Sequence, residues 1–278
     1  MDFDLAGLSW SAHSVAGIGT CLALPAWRLC FDIGRCTPRI AARCRTILVT
    51  HGHVDHLGSV AHHVSLRAMQ RMPPTRLIVE AGEVPRVEAL LSAWRDLARS
   101  ELPCEVVGVV PGESLSVGKG LTAQAFRASH RAPTLGYGLW QTRSQLRPDL
   151  VGRPGPELAA MRAAGEVLTI ERRVLRVAFT GDTRAVVLAR EPWLREAELL
   201  VVECTFLDEE GARERADRTG HVSLLDLVDH AHHLGDGQVL LTHFSTRYSA
   251  ARVREALDRC LPASLRDRVT PLVAEAIG

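Results

Sequence analysis

The six positions His51-Gly52-His53-Val54-Asp55-His56 hold three of the chain's 12 histidines together with a carboxylate. Imidazole nitrogen and carboxylate oxygen are the donors that first-row divalent ions take in hydrolytic sites. Further along, three more donors of the same kind follow apolar runs: His130 after "QAFRAS", Asp182 after "RVAFTG" and His243 after "QVLLT". These ligands suffice for two divalent ions. The natural partition puts His51, His53 and His130 on one ion and Asp55, His56 and His243 on the other, with Asp182 shared. Two such ions about 3.5–4 Å apart clamp a hydroxide and stabilise both the attacking and the leaving oxygen. Zinc is the expected metal and manganese the alternative.

Donors so far apart in sequence must be gathered by elements that end in one place. Residues 46–50 form a short β-branched, apolar run that reads as a buried strand, and Gly52 allows a sharp turn after it. Behind the turn, "HLGSVAHHVSLRAMQRM" has helical spacing, with Leu57, Val60, Val64 and Met69 on one apolar face. Residues 5–11, 19–24 and 28–32 read as earlier strands. Later strands are expected in "RLIVE", "CEVVGVV", "LTAQAFRAS", "LGYGLW", "VLRVAFTGDT", "ELLVVECTF" and "QVLLTHFSTRY". Helices are expected over residues 84–100, 156–164, 192–196 and 249–261, with another starting at Ser223. The order predicts an α/β protein with two sheets and helices outside, one domain over residues 1–278, interrupted by a small basic excursion at about 143–166.

Composition narrows the class. The 278 residues are 46% hydrophobic and 23% charged, as in an ordinary globular enzyme. No apolar run is long enough to span a bilayer, and the first residues lack a basic segment followed by an apolar one, so a cytoplasmic protein is expected. Seven cysteines without a CxxC pair read as free thiols. The net charge of +1 gives no general attraction to nucleic acid. Lys119 is the only lysine and every other cation is arginine, a residue whose planar fork suits phosphate.

The His-x-His-x-Asp-His turn at 51–56 resembles that of the metallo-β-lactamase superfamily, which implies an αββα sandwich with metals along one edge. Three further stretches narrow the resemblance: "VVECTFLDEE" with Glu203, "TGHVSLLDLVDHAHHL" with His221 and "LLTHFSTRY" with His243. In that order they look like ribonuclease Z, most closely its short plant-type form, and "FDIGRC", "LVGRPGPEL" and "VAFTGDT" extend the likeness along the chain. The resemblance implies a metal-dependent endonuclease that removes the 3′ trailer of precursor tRNA, commonly as a homodimer. It implies Asp55 as base and His221, supported by Glu203, as acid. Physical chemistry agrees, because a neutral imidazole is a poor acid and a nearby carboxylate favours its protonated form. Ser223 and Asp226 form an N-cap pattern that would fix the helix beside His221.

The chain departs from the longer bacterial pattern. His130 and Asp182 are only 52 positions apart, so any RNA-gripping arm is small, with Arg143, Arg147 and Arg153 as its candidate phosphate contacts. Arg247 is a fourth candidate. The segment "AGIGTCLALPAWR" lacks the Pro- and Lys/Arg-rich loop of that form. A small-molecule hydrolase of the same fold, acting on cyclic nucleotides or glutathione thioesters, is the alternative activity. His62, His63, His230, His232 and His233 fall on expected helices and His13 has no partner in view, so none is assigned chemistry. Tyr137 and Trp140 are assigned to packing.

Overall fold

The computed structural model describes residues 1–273. Seven strands lie side by side in chain order in the first sheet: β1 (Asp2–Leu5), β2 (Leu8–Val15), β3 (Gly19–Leu24), β4 (Leu29–Phe31), β5 (Thr46–Leu48), β6 (Thr75–Glu80) and β7 (Cys104–Val109). Pairing is antiparallel from β1 to β4 and parallel from β4 to β7. The second sheet repeats the plan with β8 (Ser114–Gly118), β9 (Leu121–Arg127), β10 (Leu135–Leu146), β11 (Thr169–Phe179), β12 (Leu199–Glu203), β13 (Gln238–Thr242) and β14 (Val269–Pro271). It too is antiparallel through its first four strands and parallel through its last four.

Helices cover the outer faces. Against the first sheet lie α1 (Pro38–Arg43), α2 (Val54–Leu57), α3 (Val60–Met69) and α4 (Val84–Ala98); α5 (Gly155–Ala163) belongs to the β10–β11 connection; α6 (Val186–Arg190), α7 (Ala212–Thr219), α8 (Leu224–Asp229), α9 (Ala250–Cys260) and α10 (Ala263–Arg266) accompany the second sheet. Alternation along the strands assigns side chains to layers. Leu48, Ile78, Phe179, Val201 and Leu240 meet between the sheets, whereas Ile47, Val49, Leu77 and Val79 pack with α3 and α4, and Val202 and Leu241 with α8 and α9. Because both faces of each sheet are covered, the central strands are continuous apolar runs. This is the αββα sandwich.

Several local expectations are corrected. Residues 5–11 are not one strand: Ala6 and Gly7, both at positive φ, turn the chain between β1 and β2. The helix expected to run on from His56 is two, because Gly58 and Ser59 end α2 before α3 begins, and Met69 is 77% exposed rather than on the buried face. Residues 192–196 form a 3-10 turn, while α6 just before it carries the buried Val187 and Leu188. The basic excursion starts as sheet. β10 and β11 continue their ladder past Trp140 to Leu146 and Thr169 before the chain breaks into the loop carrying α5. Trp140 stacks at 6.0 Å on Trp193 and the Tyr137 hydroxyl donates to the Val49 carbonyl, so both pack as expected. All seven cysteines are free thiols. Among the described residues, no helix is long and apolar enough to cross a membrane.

One ion-pair cluster fastens α9 to the loop after β12. The buried side chain of Asp208 accepts from both Arg252 and Arg259. Against the cost of burial, these guanidinium groups hold its carboxyl down to about 2. A depressed native pKa stabilises the fold above the ordinary carboxylate range, and that stability is lost as pH falls through about 2. Asp208→Asn is therefore expected to lower the melting temperature at pH 7 by about 2–4 °C. The gap from wild type should narrow steadily as the pH of the thermal melts is taken from 4 towards 2. A gap that stays constant with pH would remove the ionic explanation.

Candidate metal centre and active site

The seven expected ligands converge at one end of the sandwich. His51 and His53 lie on the loop after β5, and Asp55 and His56 on the single turn α2. His130 follows β9, Asp182 follows β11 and His243 follows β13 directly. Both sheets thus contribute. One group of ligand atoms, from His51, His53, His130 and Asp182, lies within 4.8 Å of one another, and Asp55, His56 and His243 form a second such group. Asp182 faces both: its Oδ2 lies 3.7 Å from His51 Nε2 and 3.4 Å from His56 Nε2, and its Oδ1 lies 3.6 Å from His243 Nε2.

Local backbone explains the placement. Gly34 allows the loop after β4 to pass against α2, because a Cβ there would sit 1.7 Å from the Asp55 carbonyl oxygen. Gly181 turns the chain just before Asp182 at φ +60°, where a Cβ would come within 2.7 Å of Thr50 Cγ2. His243 itself is left-handed at φ 60°, an uncommon conformation that points the chain away at the end of β13.

Two buried carboxylates orient the imidazoles. Asp32, at the end of β4, accepts from His56 Nδ1 at 2.7 Å and from the Thr50 hydroxyl at 2.9 Å; that hydroxyl lies 3.0 Å from His51 Nδ1. Glu203, at the end of β12, accepts from His221 Nδ1 at 2.8 Å and from the Thr205 hydroxyl at 2.6 Å; that hydroxyl lies 2.9 Å from His243 Nδ1. Each carboxylate therefore holds one histidine directly and a second through a threonine. A hydroxyl that donates to a carboxylate receives from the ring, so Nδ1 carries the proton and Nε2 keeps its lone pair. His130 is fixed likewise, since its Nδ1 must donate to the Gly220 carbonyl at 2.7 Å.

A divalent cation fits this donor set. The Nε2 of His130 is buried without a hydrogen-bond partner, and His51 Nε2 and His53 Nδ1 face each other at 2.8 Å. Burial lowers the pKa of both His51 and His130, which keeps these rings in the neutral form that ligates metal. Asp55 accepts from the Gly17 N–H at 2.8 Å; although burial opposes ionisation, that bond and the imidazoles of His243 and His56 hold its carboxyl well below its usual range. Burial disfavours charge on His221, but the Glu203 carboxylate overcomes it and raises the ring to about 9.

His221 stands across the cluster, its ring 5.0 Å from that of His130 and 5.4 Å from that of His243. It lines, with His53, His130, Arg131 and Thr219, a cavity of about 560 Å³. The Ser223–Asp226 capping box anticipated for α8 is present, with Asp226 N donating to Ser223 Oγ and Ser223 N to Asp226 Oδ2. The candidate RNA-binding arginines lie outside this cavity: Arg143 pairs with Glu198, Arg147 with Asp149 and Arg153 with Glu157, and Arg247 is exposed. Arg213 and Arg215 are likewise engaged, with Asp226, Asp229 and Glu209. The sequence reading missed Asp32, Thr50, Thr205 and Arg131. A carboxylate closing the apolar run in "CFDIG" was the available signal for the first; two threonines and one rim arginine gave none.

Comparison with known proteins agrees with this geometry. A family model described as a β-lactamase superfamily domain matches residues 33–244. The chain is 34% identical to tRNase Z TRZ1 of Arabidopsis thaliana over 93% of its own length and 92% of that protein's. Its fold is similar to the crystal structure of human tRNase Z, short form, with a TM-score of 0.62 at 19% identity over 99% and 98% of the two chains. It is also similar to the metallo-β-lactamase fold protein YhfI from Bacillus subtilis, with a TM-score of 0.64 at 14% identity over 95% of each. On the family match and the near full-length identity together, the chain belongs to the β-lactamase superfamily and, within it, to the tRNase Z (ribonuclease Z) family.

Proposed function

We propose that the protein is a tRNA 3′ endonuclease, which hydrolyses one phosphodiester of precursor tRNA to release the 3′ trailer and leave a 3′-hydroxyl. The observation that carries this reading is the His221–Glu203 pair. It is an imidazole held at 2.8 Å by a buried carboxylate, which favours its charged form, and it faces the ligand cluster. The two ligand groups are complete without it, and a diester leaving group needs an acid of this kind. The likeness to proteins named tRNase Z supports tRNA as the substrate.

In this reading His51, His53 and His130 would hold one divalent ion and Asp55, His56 and His243 a second, with Asp182 available to both groups and zinc favoured over manganese. Bound there, the ions would supply Lewis-acid polarisation of the phosphate and a lowered pKa for water. Asp55, ionised and half-buried, orients the attacking water as a hydrogen-bond acceptor and passes its proton on to solvent, because a carboxyl held so far below its usual range does not retain one. His221 gives the proton on its Nε2 to the departing 3′ oxygen while its Nδ1–H stays on Glu203. Thr205 and Thr50 keep His243 and His51 in the tautomer that leaves Nε2 free. Arg143, Arg147 and Arg153 lie near the surface, where exchanging an internal ion pair for an RNA phosphate costs little, and Arg247 is exposed. We infer a homodimer working in the cytoplasm, a reducing compartment that suits seven free thiols.

On a labelled precursor tRNA, wild type is expected to make a single cut after the discriminator base. His221→Ala should lower kcat by about 10²–10⁴-fold with little change in tRNA binding. An equal loss in binding would exclude His221 as the acid, and an intact precursor beside cleaved bis(p-nitrophenyl) phosphate would move the protein to the small-molecule hydrolases. Metal analysis of purified protein should find about two ions per chain. Asp182→Ala should retain less than half of that, and chelation should abolish cleavage until zinc or manganese is restored. Replacing Arg143, Arg147 and Arg153 together should weaken tRNA binding and flatten its salt dependence, by about one unit of slope for each phosphate no longer neutralised, leaving the small diester unaffected.

A further inference from the structure

A second cavity lies at the opposite edge of the sandwich from the metal centre. Its volume is about 370 Å³, within the range of small-molecule sites, and its lining includes Trp27, Arg28, Arg45, Val117, Lys119 and Gln141. Thr46, also in the lining, begins β5, whereas His51 lies beyond the end of that strand. The strand rise alone separates the two sites by about 16 Å. Residues from the β3–β4 turn and the start of β5 form one wall, and the β8–β9 turn with β10 forms the other.

The charge of this cavity is one-sided. Three cations line it and no carboxylate does. Among the described residues none of the three is in an ion pair, and the one side-chain hydrogen bond they make runs from Arg45 Nε to the Pro74 carbonyl. The field extends inward to Arg67, 1% exposed, whose guanidinium is bonded to the carbonyls of Ala41, Cys44 and Pro73 and so keeps its charge. Burial first, and then the charges of Arg28 and Arg45, lower the pKa of Arg67, so these guanidinium groups act on one another. Gln141 adds donors: its side-chain oxygen is taken by Arg143 and Arg176, leaving the amide N–H groups. A cluster of cations with no acid among them carries a repulsion that a bound anion relieves.

The remaining wall is apolar and partly aromatic. Trp27 is half-buried, with the Arg176 guanidinium 6.0 Å from its ring centroid, and Val117 is buried beside it. Planar forks at Arg28 and Arg45, a point charge at the chain's only lysine and an indole in one concave site match a phosphate joined to a flat apolar body. We infer that this cavity is a binding site for a small phosphate monoester of that kind, a mononucleotide, separate from the metal centre.

Isothermal titration with AMP, with adenosine and with inorganic phosphate tests the inference, using wild type, Arg28→Ala/Lys119→Ala and Trp27→Leu. Wild type should bind AMP saturably and bind each of the two fragments more weakly. The double variant should lose at least about tenfold in AMP affinity. Trp27→Leu should weaken AMP more than phosphate, and both variants should hydrolyse bis(p-nitrophenyl) phosphate as wild type does. Because both cations are exposed, the double variant reads the charge even if the tryptophan variant fails to fold. No AMP binding by wild type would overturn the inference, as would AMP affinity unchanged in the double variant, which would place the nucleotide at the metal centre or elsewhere. A double variant that loses affinity for precursor tRNA while keeping AMP would make the patch an RNA contact instead. That last result would leave the proposed endonuclease standing, since cleavage of tRNA is scored separately.

Discussion

Two buried carboxylates, Asp32 and Glu203, are the constraint on which the rest of this site rests. Each is almost wholly removed from solvent, at 0% and 1% exposure. A carboxylate in that position is costly unless its lone pairs are filled. Asp32 is filled by the backbone and hydroxyl of Thr50 and by His56; Glu203 by the backbone of Thr183 and Val222, the hydroxyl of Thr205 and His221. Satisfying the two anions therefore fixes four imidazoles, three of them metal-ligand candidates and one the proposed acid. Stability and chemistry make the same demand here: the hydrogen bonds that make each buried charge tolerable are those that aim the rings.

The two halves solve this problem in the same way. Four antiparallel strands followed by a parallel run occur twice, and in each half a carboxylate closes a strand of the parallel run with a threonine as intermediary. The halves then diverge in what they present. The first supplies a compact turn carrying four candidate donors, His51, His53, Asp55 and His56, whereas the second supplies three candidate donors from three separate strand ends and the proposed acid. The β10–β11 ladder extends beyond the sandwich only in the second half, where Arg143, Arg147 and Arg153 lie.

The convergence of the candidate donors was legible in the sequence because residues of ligand type are chemically rare and stand here after apolar runs. The central strands were legible for a related reason: being covered on both faces, they are uninterrupted apolar stretches bounded by polar turns. The edges were harder. β8 and β14 are short and half-exposed, so neither alternation nor a long apolar run marks them. The break between α2 and α3 depends on Gly58 meeting the Val54 carbonyl, a close approach that helical spacing does not register. The supporting shell was hidden most completely. Thr50 and Thr205 are ordinary strand-end residues until the fold sets them between a carboxylate and a ring. Nor does periodicity reveal the second cavity, whose cations come from three turns distant in sequence.

The division of donors between the two sheets also has a temporal side. His56 and His243 meet at 3.3 Å across 187 residues. At about 5–20 residues per second, a growing chain would carry the first four donors for roughly 10–40 s before the last is made. Until Asp182 is made neither ligand group is complete, and the second group lacks His243 to the end of that interval. The full set of candidate donors therefore exists only once β13 of the second sheet has been made, so order of synthesis and order of assembly coincide at this end of the sandwich.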